Sequence, residues 1–301
     1  MMPSENKSNV RPLVTVGLPV VSDVKLAEHA VRSVFSQTEQ DWELIIVCDG
    51  AASDVVVRMR QISDPRVKLR VHETNRGLAH RLNEIALLAR GPYLARMDAD
   101  DIMHPRRLAV QLARIQGDKT IDVLGTGSFL ISNKNEVCGD YLEPKIPVSL
   151  AGYLVSGVFS HPTVMMRTEW ARANKYDAVC IRTEDKELWL RTAAQSHFEK
   201  LNDQLLYCRV PVLLSVPKQA LTAKWDRKLL REKGPMFTSR LDLLVRLARS
   251  HAKQAAFWLL CKIGMSFRIH RTKYREVNAV DMIAANVGLS TAISATVPGW
   301  D

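Results

Sequence analysis

Four short apolar runs in the first hundred residues, separated by helical periods, restrict this fold more than any other feature. Leu13 to Leu18 is apolar and β-branched up to Pro19, and Glu43 to Cys48 closes on Asp49-Gly50. Arg66 to Val71 alternates, and Tyr93 to Met97 follows the Gly91-Pro92 break. Each reads as a strand. Between them, Leu26, Ala27, Ala30, Val31, Val34 and Phe35 share one helical face. Val55 to Ile62 reads as a second helix, and Leu78, Leu82, Ile85, Ala86 and Ala89 line a third. Strand–helix alternation predicts an α/β fold with a parallel sheet and right-handed crossovers. Ligands of such sheets bind beyond the strand C-termini, where Pro19, Asp49 and Asp98 to Asp101 fall.

The fourth run passes directly into Asp98-Ala99-Asp100-Asp101. Carboxylates this close repel one another and cannot stay buried without a compensating cation. An all-oxygen set of this kind suits Mg²⁺ or Mn²⁺ rather than Zn²⁺. The plainer alternative is a solvated turn in which Asp101 caps a helix beginning near Pro105, because an isolated D-x-D is short and frequent.

Beyond Asp101 the pattern changes. A helix is predicted from Pro105 through Gln116 and a strand from Ile121 to Ile131. A turn at Asn133-Lys134-Asn135 leads to a hairpin partner from Glu136 to Tyr141. Short strands follow at Thr163 to Met166 and Leu205 to Val210, around a helix starting near Thr183 whose apolar face holds Leu188 and Trp189. This half reads as mixed and antiparallel. The division is therefore a tail at 1–12, a main domain at 13–216 (a parallel half to 101, a mixed half from 102), and a basic helical extension at 217–301.

Composition narrows the class. A 47% hydrophobic and 25% charged chain of 301 residues is ordinary for a globular protein. No apolar run approaches the roughly 20 residues of a membrane span, and Met1 to Pro12 lacks an apolar signal core, so a cytoplasmic location is expected. Five widely spaced cysteines without a C-x-x-C pair suggest neither zinc nor a disulfide framework. The net charge of +10 is carried by residues 224–276, with 14 Lys/Arg against 4 Asp/Glu.

Several segments recur in a familiar order: Val14 to Pro19, Ala30 to Thr38, Trp42 to Gly50, Asn75 to Ala79, Leu82-Asn83, and Ala89-Arg90-Gly91. Met97 to Asp101, His161 to Met165, Glu184 to Arg191 and Leu206 to Arg209 complete the series. In this order and spacing they resemble the family 2 glycosyltransferases of GT-A fold, and within them the type that builds bacterial surface polysaccharides. The resemblance covers roughly residues 13 to 211. It implies a Rossmann-like, mostly parallel central sheet, a mixed acceptor-side half and a helical C-terminal appendage. It also implies an inverting transfer of one sugar from a nucleoside diphosphate sugar, a UDP-sugar by family habit. The acceptor would be a saccharide or a polyprenyl-linked saccharide.

The residue roles follow from the resemblance. Asp49 would accept a hydrogen bond from a pyrimidine ring N–H, and the main chain at Pro19 would line base and ribose. Asp98, with Ala99 beside it, would face the ribose. Asp100 would bind Mn²⁺ or Mg²⁺ at the diphosphate, and Asp101 would either assist the metal or only cap the helix. Arg76 and Arg81 would meet the diphosphate or simply be solvated helix charges. Asp185 would be the general base, with Glu184 next to it and His161 either touching the acceptor or holding its loop. Three departures stand out: Val20-Val21-Ser22 after Pro19, Cys48 beside Asp49, and Pro211 where many relatives carry His.

Residues 239–269 read as a basic amphipathic helix, either lying on an anionic membrane surface at the inner face of the plasma membrane or packing on the main domain with its charged face solvated. Nucleic acid is a poorer partner, since no recognised module accompanies the charge. Gly288 to Asp301 lacks Lys and Arg and is expected to be loosely ordered. The competing reading is a non-catalytic sugar-nucleotide-binding or scaffold protein of the same fold.

Overall fold

The structure is a computed structural model that describes residues 11–21, 23–141, 144–155, 157–210, 215–263 and 274–301. The first half alternates as predicted: β1 (Val14–Val20), α1 (Val24–Phe35), β2 (Trp42–Asp49), α2 (Ser53–Arg60), β3 (Val67–His72), α3 (Leu78–Leu88) and β4 (Tyr93–Arg96). Then come β5 (Ile102–Met103), α4 (Arg107–Gly117), β6 (Val123–Ile131), β7 (Val137–Tyr141), α5 (Leu150–Tyr153), β8 (Met165–Arg167), α6 (Thr168–Ala173) and α7 (Glu184–Thr192). The chain finishes through β9 (Phe198–Arg209), α8 (Val216–Lys233), α9 (Arg240–Lys262), β10 (Tyr274–Arg275) and α10 (Ala279–Ile293).

These strands form one sheet. β4, β1, β2 and β3 lie side by side and parallel. β8 then joins β4 antiparallel and continues the sheet through β6, β7 and β10. The long β9 runs parallel to β6 and pairs with the short β5. β1 and β2 are buried along their whole length, as strands covered by helices on both faces must be. One core layer packs α1, α2 and α4 against the sheet around Val16, Leu44 and Leu108. The opposite layer holds α3, α6, α7 and α8 around Ile85, Trp170, Trp189 and Leu230.

The structure departs from expectation in three places. The helix after the carboxylates starts at Arg107, with Arg106 as its cap, because Ile102-Met103 is drawn out as β5 to pair with Leu206-Tyr207 of β9. Asp101 is therefore not its cap. Short apolar segments at α5 and α6 also fold as helix. Pro211, Ser22 and the end of the predicted 239–269 helix, from 264 on, lie outside the described residues.

The third departure is the C-terminus, which is firmly built in rather than loose. α10 packs on α1 and β5, and Val297 is fully buried. Trp300 stacks against Arg58, 4.4 Å from ring centroid to guanidinium, and donates its indole N–H to the Arg58 carbonyl. Asp301 pairs with Arg32 at 2.7 Å. Gly299 makes this possible: it sits at φ 92°, and a Cβ there would stand 1.9 Å from the Gln61 carbonyl oxygen. Gly299→Ala is expected to cost about 1–3 kcal/mol, lowering the thermal midpoint by roughly 2 °C per kcal/mol or more. An unchanged melting curve would show that this turn contributes nothing to stability.

Candidate active site

The ends of β2 and β4 build the site, each in its own way. At β2, Gly50 adopts φ 64°, and a Cβ there would lie 2.7 Å from the Asn75 amide nitrogen. The absence of a side chain lets the strand end close against the 75–77 turn. Asp49 fastens that turn. Its Oδ1 accepts from the Arg76 N–H at 2.9 Å and from Arg81 Nε at 2.6 Å, and its Oδ2 accepts from the Gly77 N–H at 2.9 Å. Burial pushes the Asp49 carboxyl up, but these donors outweigh it and hold the group below its ordinary value.

This arrangement corrects the expected role of Arg81. Its side chain is only 4% exposed, and its remaining N–H groups go to Glu84 and the Thr74 carbonyl. It is spent inside the protein and does not line the cleft described below. A carboxylate offers roughly four acceptor sites, so Asp49 has one left, on Oδ2, beyond its three protein donors, but at 2% exposure it too is outside the cleft lining. Arg76, by contrast, is exposed and lines the cleft.

At β4 the strand ends on a buried arginine. Arg96 Nη2 donates to Asp98 Oδ1 at 2.5 Å, while its Nε and Nη1 are buried without a partner among the described residues. Beyond it, ligand oxygens of Asp98, Asp100 and Asp101 lie within 4.8 Å of one another. Burial and Asp98 push the Asp100 carboxyl up. Burial together with Asp100 and Asp98 pushes Asp101 well above the ordinary carboxylate range. Three carboxylates that resist joint ionisation are the chemistry a hard divalent cation relieves. Arg209, at the end of β9, clips the turn: its N–H reaches Asp101 Oδ1 at 3.0 Å and its Nε the Asp100 carbonyl at 3.0 Å.

The facing wall comes from α7. Trp189 anchors it in an aromatic cluster, stacked on Trp170 at 6.0 Å and edge-on to Phe159 and Phe198. That anchoring holds Glu184 and Asp185 in the first turn. Asp185 Oδ1 accepts from the Lys186 N–H at 2.7 Å. Burial raises the Asp185 carboxyl, against the pull of that N–H and of Arg96. Burial, then Asp185, raises Glu184. His161 bonds Tyr176 Oη at 2.9 Å and is held neutral, well below its ordinary value, by burial and by Arg96. It both lines the cleft and braces its loop.

One cleft of about 660 Å³ is lined by Arg76, Arg96 and Asp98 together with His161, Glu184 and Asp185. Asp100 and Asp101 cluster with Asp98 in the same turn and are not among the residues that line the cleft. Pro19 lies buried in β1, paired with Val47 next to the strand end, and Ala99 is half-buried in the carboxylate turn. Sequence reasoning missed Arg96, Tyr176 and the clip made by Arg209. A charged residue inside an otherwise apolar strand was the signal that could have found Arg96.

A sequence model described as glycosyl transferase family 2 matches residues 15–137. EpsE of Bacillus subtilis (strain 168), whose name gives it as a glycosyltransferase, is 36% identical over 192 residues, 61% of this chain and 67% of that protein. The Escherichia coli protein WfgD is 24% identical over 190 residues, 63% of this chain and 73% of that protein. It is named as a UDP-Glc:α-D-GlcNAc-diphosphoundecaprenol β-1,3-glucosyltransferase. Among solved structures, the mannosyltransferase PcManGT of Pyrobaculum calidifontis, in complex with GDP-Man and Mn²⁺, superposes with a TM-score of 0.60. It is 15% identical, over 95% of this chain and 87% of that one. TarS of S. aureus in complex with UDP superposes with a TM-score of 0.57 at 17% identity, over 81% of this chain and 72% of that one.

Arg81→Met leaves Asp49 buried without its cation and is expected to cost about 3–5 kcal/mol, seen as a thermal midpoint lower by roughly 6 °C or more. Because Arg81 helps hold the native Asp49 carboxyl below its ordinary value, the advantage over the variant should be present at neutral pH, where Asp49 is ionised, and shrink as pH falls and the carboxyl protonates. Equal melting of the two proteins at neutral pH would remove the pair from the account of the site.

Proposed function

The chain belongs to glycosyltransferase family 2 and is a nucleotide-sugar glycosyltransferase, and from that premise we propose how its own residues carry out the transfer. The donor is a nucleoside diphosphate sugar, most simply a UDP-sugar, with its ribose facing Asp98 and its diphosphate beside the Arg76 guanidinium. Asp49 holds the 75–77 turn under the nucleotide and keeps one acceptor site for a base N–H. Asp185 takes the proton of the acceptor hydroxyl. The hydroxyl oxygen then bonds to the anomeric carbon as the bond from that carbon to the diphosphate breaks, and the electron pair leaves with the nucleotide. A single displacement of this kind inverts the anomeric centre. Burial, then the neighbouring Asp185, raises the Glu184 carboxyl above its ordinary value, so adjacent charges on the pair are disfavoured.

The observation that supports this reading is the cleft itself, whose lining includes both Asp98 and Asp185. GT-A glycosyltransferases commonly use a divalent metal, and the Asp98, Asp100 and Asp101 oxygens fit such an ion by chemistry and by mutual distance. Asp100, the exposed member, would hold Mn²⁺ or Mg²⁺ with help from Asp101; bound there, the ion neutralises charge on the leaving diphosphate. The acceptor is a saccharide, carried on a lipid in the manner named for WfgD. No helix among the described residues is long and apolar enough to cross a membrane. The basic α9 would bring the enzyme to the inner face of the plasma membrane.

Incubation with a panel of UDP-sugars, Mn²⁺ and saccharide acceptors should release UDP. Asp185→Asn should lower kcat by about 10²–10⁴ with UDP binding retained. Loss of UDP binding in that variant, or full activity, would remove Asp185 as base. Because burial raises the Asp185 carboxyl, activity should fall on the acid side with a midpoint above the ordinary ~3.9, as protonation blocks the base.

In a separate measurement, Mn²⁺ should raise the thermal midpoint of the wild type, and EDTA should reverse it. Asp100→Ala should not respond. An equal Mn²⁺ response in both proteins would place the ion elsewhere.

A further inference from the structure

A second concavity lies next to the cleft, outside the machinery just described. It is a groove of about 880 Å³ between α8 and α9, closed at one end by Leu154 and Val155 after α5. Its lining is largely apolar, with Ala223 and Phe257 among its walls. Val155 and Trp258 on its edges are 59% and 51% exposed. A contiguous exposed apolar patch of this sort marks a binding surface more often than idle surface, and the volume is within the ~300–1,000 Å³ of small-molecule sites.

Its charges are unevenly satisfied. Lys186 is paired with Asp226 at 2.8 Å and Arg246 with Asp242 at 2.6 Å. Arg249 and Lys253 also line the groove, four residues apart on α9, and make no ion pair among the described residues. Like charges at this spacing disfavour one another on a helix, and a polyanion between them would relieve both. The groove also opens beside the cleft. Lys186 donates its backbone N–H to Asp185 and reaches Asp226 of α8 with its ammonium group.

A largely apolar groove, two lining cations without an ion pair, and a lining residue, Lys186, next to Asp185 describe a receptor for a long hydrocarbon ending in a dianion. We propose that this groove binds the prenyl chain and diphosphate of a lipid-linked acceptor, Arg249 and Lys253 taking the diphosphate, so that the attached sugar is presented to Asp185. The proposal rests on the lipid-linked acceptor reading above and assigns it a site.

Calorimetric titration with farnesyl diphosphate tests it, using the full chain saturated with UDP and Mn²⁺ so that the donor site is occupied. Saturable binding is expected, with farnesol and inorganic diphosphate each weaker by about tenfold or more. Arg249→Glu combined with Lys253→Glu, Ala223→Trp, and Val155→Asp at its exposed position should each weaken it by about tenfold or more, while UDP binding stays unchanged. Absence of saturable farnesyl diphosphate binding would overturn the proposal. So would equal affinity in all variants, or inorganic diphosphate matching the prenyl compound. Binding of anionic phospholipid vesicles without binding of farnesyl diphosphate would assign the basic helix to a membrane surface instead. Failure of the wild type to bind UDP would count against the donor site, while the farnesyl diphosphate titration would still decide the groove.

Discussion

The buried guanidinium of Arg96 is the charge around which the site is assembled. Five carboxyls converge on the sheet edge: Asp98, Asp100 and Asp101 from the β4 turn, Glu184 and Asp185 from α7. Four of them are pushed up, chiefly by burial. Arg96 bonds Asp98 directly and opposes the rise in each of the other four. Breaking a buried ion pair leaves its partner uncompensated, which costs more than the pair itself is worth. Without a cation at this point, the two walls could not carry opposed acidic groups across so small a space. Arg96 is itself held from behind, since Arg107 donates to its carbonyl at 2.9 Å.

The two walls come from different parts of the topology, and that separation explains their different rigidity. The donor wall grows from parallel strands whose C-terminal ends are fixed by complete burial and by pairing on both sides. The carboxylate turn is fastened a second time by Arg209, which also donates to the Ser132 carbonyl and Asn135 Oδ1. The acceptor wall depends instead on side-chain packing. α7 is only nine residues long, too short to be stable by propensity, and it is placed by Trp189 within the aromatic cluster. The antiparallel step from β4 to β8 carries the chain across the sheet so that these two constructions meet.

Much of the first wall was legible in the sequence because its signals are local. A buried strand must be apolar, a parallel crossover must carry a helix, and a polar strand end is visible residue by residue. The second wall was legible only in part. Asp185 could be placed at a helix start, but its facing Asp98 depends on register between distant segments. Arg81 was misjudged for a related reason: its neighbours in sequence suggest a solvated helix, while its partner Asp49 is 32 residues away. The C-terminus was misread because a stretch without Lys or Arg looks loose. Its order comes from single contacts of Val297, Trp300 and Asp301 with α1 and α2, which no periodicity announces.

The uneven charge of the chain follows from the same geometry. The acidic cleft and the basic 224–276 segment look complementary in sequence, as if one could neutralise the other. The placement argues otherwise. Arg249 and Lys253 are exposed on α9, and exposed charges are screened over a Debye length of about 8 Å at physiological salt. They line the groove, whereas the carboxylates of the β4 turn, Asp100 exposed, Asp98 half-buried and Asp101 buried, have Arg96 and Arg209 as their cationic neighbours. The cleft must therefore find its cation locally, which fits a small divalent ion better than a flexible side chain. On α9, Arg246 is paired with Asp242, whereas Arg249 and Lys253 make no ion pair among the described residues, which leaves those two open to an anion from outside the protein.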